Sequence, residues 1–426
     1  MKRKMRVLLI SVFLFFVPLA LTDFTFTSFN SSVSSSFVTI GGTTIQQPNL
    51  VLIPFQTNDA GAVWITEQLP VRGFKSVFTF TILSNGQSTG EDGFTFTIQT
   101  GDATASGPFG PGLGYGNFKD GDNSGIRNSV VIEFDTFMDS LQLDPNGNHL
   151  SVHARPNSAP NCANETYSLG STTSIPPLRQ NNTITTVAIE YLPIPHQPNG
   201  NLTITLNDFS GPSLTVPMNL ESYVPLNNGN AWIGFTASTG SSSQSVQIHS
   251  WSYQFLGVTV ANESYPYGDS ISSAVAGQQG TFFIQGVDQF GNNMTSGGAT
   301  FIVVLSSDPA ASVQVIDHNT GLYTVTYTTT VATNAAQWSV TLGGQPLVNT
   351  PVATAVSPGP ISPGSCFAEE TGNEIGLHGG EAGAALQFTI VLKDQYGNQL
   401  STTIDPSQVS VTLTNGQNVV SGTVDT

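Results

Sequence analysis

The chain has 426 residues, enough for two to four domains, and a formal net charge of −17 with only 9% charged residues. That sign excludes a protein that binds nucleic acid or an anionic membrane surface, either of which needs a basic face. Its 43 glycines and 25 prolines, among abundant Ser, Thr and Asn and few helix signals, point to an all-β extracellular chain.

The start of the chain reads as an address. Lys2, Arg3, Lys4 and Arg6 precede an apolar run over residues 7–21, the layout of a secretory signal peptide spanning residues 1–22. The run is short for a membrane span of about 20 residues. Cleavage is expected between Ala20 and Asp23, which leaves 28 acidic against seven basic groups. Sequons at Asn30, Asn164, Asn181, Asn201, Asn262 and Asn293 agree with secretion and a glycoprotein. The two cysteines, Cys162 and Cys366, fall in different predicted domains, so no disulfide framework is expected.

Residues 23–256 read as strand after strand. Alternating runs are predicted at 24–27, 76–83, 93–99, 185–191, 201–206, 231–237 and 246–255, with the turn Pro198-Asn-Gly200 before the fifth. This many strands imply two large sheets packed face to face.

The stretch 129–153 carries the chemistry. It opens as a strand that puts Glu133 and Asp135 on one face, passes through a loop rich in Asp, Asn, Pro and Gly, and leaves in a second strand beginning at His149. Glu133, Asp135, Asp139, Asp144 and His149 are thereby gathered at one strand end. So many anions repel one another unless a cation sits among them. Oxygen ligands suit calcium, and a Glu/Asp/His mixture suits manganese or zinc. Two adjacent metals sharing Asp135 and Asp144 account for all of these side chains.

In these residues the chain resembles the legume-type (L-type) lectins, whose metal loop runs Glu-x-Asp-x-aromatic-x-Asn, then Asp-Pro, then His. Glu133, Asp135, Phe137, Asp139, Asp144-Pro145 and His149 fall at the same spacings. The resemblance covers residues 23–256 and implies a concanavalin-like jelly roll whose metals hold sugar-contacting loops in place. It implies that Glu133 and His149 bind the transition metal (Mn2+) and that Asp135 and Asp144 bridge it to Ca2+. Asp139 and the Phe137 carbonyl then complete the calcium shell, and the Phe137 ring stacks on a sugar. Asp92 matches the family's sugar-binding Asp, which implies a cis peptide at Glu91–Asp92. The run Gly107-Pro-Phe-Gly-Pro-Gly-Leu-Gly-Tyr-Gly116 matches the loop that donates a backbone N–H to the sugar. Pro111 has none to give, so Gly112 is favoured over Gly110. The segment 238–244, beginning Ser238, Thr239, Gly240, matches the loop that varies with monosaccharide preference. One departure is Asp139, where the family has Asn. An ionised Asp can ligate calcium but has no N–H to donate to a sugar.

Residues 257–356 change character, and a Pro/Gly linker at 357–364 separates them from a restart at 365–426. Asp288-Gln-Phe-Gly-Asn292 aligns with Asp394-Gln-Tyr-Gly-Asn398, an internal repeat. With the strand Gly321-Leu-Tyr-Thr-Val-Thr-Tyr327, the pattern resembles filamin-type immunoglobulin-like β-sandwich repeats. In the turn, Asp and Asn bond to their own backbone and Gly supplies positive φ. The second copy stops at Thr426 before its own Gly-x-Tyr strand, so an incomplete repeat is expected, either a fragment of a longer protein or a truncated gene product.

Two rival readings remain. A jelly-roll glycoside hydrolase needs a second Glu three residues after Asp135, where Met138 stands, so no enzyme is expected. A structural or adhesive surface protein with a degenerate sugar site is the other. The reading carried forward is a secreted or surface-displayed lectin whose partners are glycans, with oligomerisation left open. Multivalent display would offset weak single sites.

Overall fold

The computed structural model describes residues 23–424 apart from 85, 87–89, 119–121, 181–182, 208–210, 373, 375, 382, 402–403 and 416–417. The expected signal peptide and the sequon at Asn181 lie outside the described residues. No helix among the described residues is long and apolar enough to cross a membrane.

The chain is all-β and divides into two compact units. The first runs to Val258 and also takes in Asp288–Ser296, and the second holds Thr259–Val287 and the chain from Gly297. In the first unit two eight-stranded sheets face each other. One has the order Leu214–Met218, Gly200–Leu206, Thr185–Pro193, Phe74–Ser84, Gln244–Phe255, Asn49–Ile53, Thr44–Gln46, with Phe24–Phe26 paired to Gln244–Phe255. The other has the order Ser168–Thr172, His149–Ala154, Ser129–Asp135, Gly93–Gln99, Asn230–Ser238, Ala60–Ile65, Phe37–Gly41, with Leu69–Pro70 paired to Asn230–Ser238. Consecutive neighbours are antiparallel throughout both sheets.

Period-two sequence makes the core between these sheets. Phe78 and Phe80 meet Phe94, Phe96, Phe134 and Phe235, all fully buried. Phe94 stacks on Phe134 at 4.6 Å and Phe78 meets Phe235 edge-on at 4.9 Å. These are the offset and edge contacts that aromatic quadrupoles favour.

The site-bearing sheet is covered on its other face as well. Ala62, Trp64 and Val131 pack there under Leu113, Tyr115, Ile126 and Ala163. Ser129–Asp135 and Gly93–Gln99 are consequently buried at every residue. Even side chains of the Ser129–Asp135 strand enter the core and odd ones, Val131, Glu133 and Asp135, face the covering loops. The Glu91–Asp92 peptide is cis, as the resemblance implies.

In the second unit a four-stranded sheet (Tyr265–Tyr267, Gln279–Gln285, Leu322–Thr328, Ser312–Asp317) and a five-stranded one enclose Phe282, Tyr323, Tyr327, Trp338 and Val340. The Leu322–Thr328 strand alternates as its sequence predicts, with Tyr323, Val325 and Tyr327 inside. Beyond it, Phe367–Glu369 pairs with Thr389–Val391 and Thr412–Asn415 with Asn418–Ser421. In both copies of the repeat turn the Asp carboxylate accepts from the backbone two and four residues on.

Candidate metal and sugar site

Antiparallel register assembles the site. His149 lies opposite Asp135, and Ser151 opposite Glu133, while Gly93 flanks Asp135 on the other side. Glu133, Asp135 and His149 therefore share one face at one end of the sheet, and the loop between the strands returns Asp144 to them. Ligand atoms of Asp135, Asp144 and His149 all lie within 4.8 Å of one another, and so do those of Glu133, His149 and Glu165.

The electrostatics are those of an anion cluster short of cations. Burial, then Asp144 and Glu133, push the Asp135 carboxyl well above its ordinary value. Burial first, with Glu133 and Glu165 adding, lifts Asp144 to about 7. His149 is fully buried and its Nδ1 lies 2.8 Å from the Asn146 carbonyl. A carbonyl only accepts, so Nδ1 carries a proton and Nε2 is turned to the carboxylates. Burial opposes charge on the ring, but Glu165 and Glu133 prevail and raise its pKa, so a metal at Nε2 would have to displace a proton. Glu133 is held by the Tyr115 hydroxyl, which donates to Oε1 at 2.6 Å.

Two expected calcium contributors are placed less tightly. The strand ends at Asp135, so Phe137 is outside it, half-buried, with its N–H donating to Asp135 Oδ1 at 2.8 Å. Asp139 belongs to neither group of mutually close ligand atoms. Its N–H donates to Asp144 Oδ2 at 2.6 Å and its Oδ1 accepts from Leu141 N–H at 2.8 Å.

Asp92 sits beside these residues with its carbonyl accepting from Thr136 N–H and its N–H donating to Ser238. It is buried, and its Oδ2 has no hydrogen-bond partner. Burial, Glu91, Asp139 and Asp144 lift its carboxyl to about 8. Gly110 N–H is committed to the Thr239 carbonyl at 3.2 Å. A Cβ at Gly112 would meet the Gly116 carbonyl at 2.4 Å, so the loop excludes larger residues there.

The variable loop divides. Ser238 Oγ donates to the Gly110 carbonyl and Thr239 Oγ1 to the Gln56 carbonyl, each at 2.6 Å, so both hydroxyls hold scaffold. Gly240 lies against the acids: a Cβ there would be 2.5 Å from Glu91 Oε2 and 3.3 Å from Asp92 Oδ2.

Sequence reasoning missed three residues. Glu91 accepts from Ser241 Oγ and from Ser242 N–H at 3.0 Å, so it fastens the variable loop beside Asp92. His153 Nε2 lies 3.1 Å from Glu133 Oε2 and 3.5 Å from Glu165 Oε1. Burial opposes its charge, but Glu133 and Glu165 prevail and lift its pKa to about 10. His149 and His153, four apart on a strand, share a face, which was a readable signal. Glu165 stands outside the 129–153 stretch.

Residues 21–265 match the legume lectin domain model and residues 258–353 the filamin/ABP280 repeat model. A lectin of Lens culinaris subsp. orientalis is 27% identical over 274 residues, covering 58% of this chain and 92% of that protein. Peanut lectin aligns structurally with 21% identity and a TM-score of 0.43, over 55% of this chain and 96% of its own. The Bauhinia forficata lectin in complex with GalNAc aligns with 22% identity and a TM-score of 0.42, over 54% and 96%. With the legume lectin model spanning more than half of it, the chain belongs to the legume lectin family, and carries a filamin repeat behind the lectin domain.

Proposed function

We propose that this protein is an extracellular, metal-dependent glycan-binding lectin whose jelly-roll domain (23–256) is displayed on filamin-type repeats (257–356 and 365–426). The observation that carries the reading is a buried acid, Asp92 with its free Oδ2, set against an anion cluster that needs cations. Ca2+ and a transition ion such as Mn2+ would supply fixed positive charge that neutralises the cluster and rigidifies its loop.

The donor chemistry fits both. Glu133 and His149 would give the mixed set of a transition ion, Asp135 and Asp144 would hold both ions, and Asp139 with the Phe137 carbonyl would add oxygen for calcium. Asp92, once ionised beside the cations, accepts from two sugar hydroxyls, while Gly112 donates its N–H and Phe137 offers its ring. Ser238 and Thr239 hold the Gly110 loop and the base of the variable loop, and Gly240 leaves room above Asp92. The family is one of binding proteins, and no catalytic carboxylate pair is invoked.

A glycan array probed with the secreted chain in calcium and manganese, then in EDTA, tests the reading. Binding that disappears in EDTA and in Asp135→Ala supports it and names the sugar. A folded, metal-loaded protein that binds no glycan supports the second reading, a structural or adhesive surface protein. Asp139 favours that alternative, because its Oδ1 is bonded to Leu141 N–H and it has no amide to offer.

A further inference from the structure

Glu165 comes from outside the metal loop yet is fastened to it. It opens a 3-10 turn, Glu165–Tyr167, capped by Asn164, whose side chain accepts from Thr166 N–H. Glu165 N–H donates to the Gln142 carbonyl at 2.9 Å, and Asn164 Nδ2 to the Leu141 carbonyl at 3.1 Å. Arg155 over the Tyr167 ring, at 4.3 Å, pins the far end of the turn.

So fastened, Glu165 Oε1 lies 3.3 Å from His149 Nε2, in a group with Glu133. Neither Glu165 Oε1 nor His149 Nε2 makes a hydrogen bond, and His149 is fully buried. His149 Nε2 and a Glu165 oxygen are thus directed at each other, at a spacing that fits two donors on a shared cation. Two donors bound at about 2.1 Å to one ion sit about 3.0–3.4 Å apart.

We infer that Glu165 is a further protein ligand of the transition ion, joining Glu133, Asp135, Asp144 and His149 and taking a position that water would otherwise fill. His153 is the positioning residue. Its Nδ1 is 3.0 Å from the Cys162 carbonyl and its Nε2 faces both Glu133 and Glu165. It therefore ties the two carboxylates to one fixed point and limits their movement. A more completely enclosed ion exchanges slowly and admits less solvent.

This inference rests on the metal reading above, and one experiment separates the two. The intact chain, Glu165→Gln and Glu165→Asp are each loaded with Ca2+ and Mn2+. Bound manganese, water-proton relaxation by that manganese, and its release into EDTA are then measured. Wild type should hold one manganese with low relaxivity. Both variants should keep the ion, gain one exchangeable water, and release manganese at least about tenfold faster. Glu165→Asp retains the charge and shortens the arm, so it reports on ligation if the Gln variant folds poorly. Unchanged relaxivity and release in a folded variant would overturn the Glu165 assignment alone. A wild-type chain that takes up no manganese would overturn both readings.

Discussion

The chain contains two kinds of aspartate-rich loop, and they solve opposite problems. In the repeat turn, Asp394 accepts from Tyr396, Asn398 and Gly359 N–H and from Asn398 Nδ2, all within 2.9 Å. Burial presses its carboxyl upward, but these bonds win and hold it below the usual range. Asp288 has the same bonds from Phe290 and Asn292, although burial still keeps it raised. In the lectin loop, Asp135 has Phe137 N–H, Asp144 has Asp139 N–H, and Asp92 Oδ2 has nothing. There the carboxyls rise, to about 7 at Asp144 and about 8 at Asp92. An acid satisfied by its own turn is structure; acids left facing one another are a demand for an external cation.

Breaking the demand should have the largest effect. Asp135→Ala removes the shared ligand, and calorimetric titration should find affinity for both ions lowered by at least about 100-fold, beyond the roughly 10–100-fold that outer partners cost. Retained tight binding would refute the bridging role.

The satisfied kind behaves otherwise. Asp288→Ala orphans backbone donors and should cost about 1–3 kcal/mol in urea unfolding of the repeat, with or without calcium. A calcium-dependent loss there would erase the distinction.

The third expectation concerns pH. Asp92 and Asp144 have folded values raised above the ordinary 3.8. For a raised acid the linked stability is complete below the unfolded value and is lost as pH climbs through the folded one. Metal-free protein should therefore melt at progressively lower temperature from about pH 4 through pH 7 to 8, and calcium should cancel that fall. A flat metal-free profile would show the carboxyls to be satisfied after all.

The smallest effect tests the departure at Asp139. Asp139→Asn restores an amide donor and should tighten glycan binding by about fivefold, near 1 kcal/mol for one added hydrogen bond, while leaving ion uptake in place. Equal or weaker glycan binding, read on the same array, would remove Asp139 from the sugar site.

How much of this was legible depended on where each residue's partners lie. Gly93–Gln99 was read at its observed bounds because Phe94, Phe96 and Ile98 alternate with Thr95 and Thr97. Asn49–Ile53 and Ala60–Ile65 were missed, since almost all of their residues are buried and the sequence carries no alternation. Leu214–Met218 and Ser168–Thr172 are short edge strands with weak apolar signals. Glu133, Asp135, Asp144 and His149 were found from spacing on one hairpin, where strand geometry converts sequence into proximity. Glu165 was not, because its position depends on a 3-10 turn that bonds back to Gln142, and Asn164-Glu-Thr166 reads only as a sequon. Ser238 and Thr239 were expected at the sugar; their hydroxyls bond the Gly110 and Gln56 carbonyls, a long-range use no local pattern announces.

The most direct test of the central claim is metal stoichiometry. Protein stripped with EDTA should be titrated with Ca2+ and Mn2+ while heat and bound metal are followed. The account predicts one calcium and one manganese per chain, with thermal stability rising as they bind. A stripped protein that takes up neither ion, and melts at the same temperature in its presence, would contradict it.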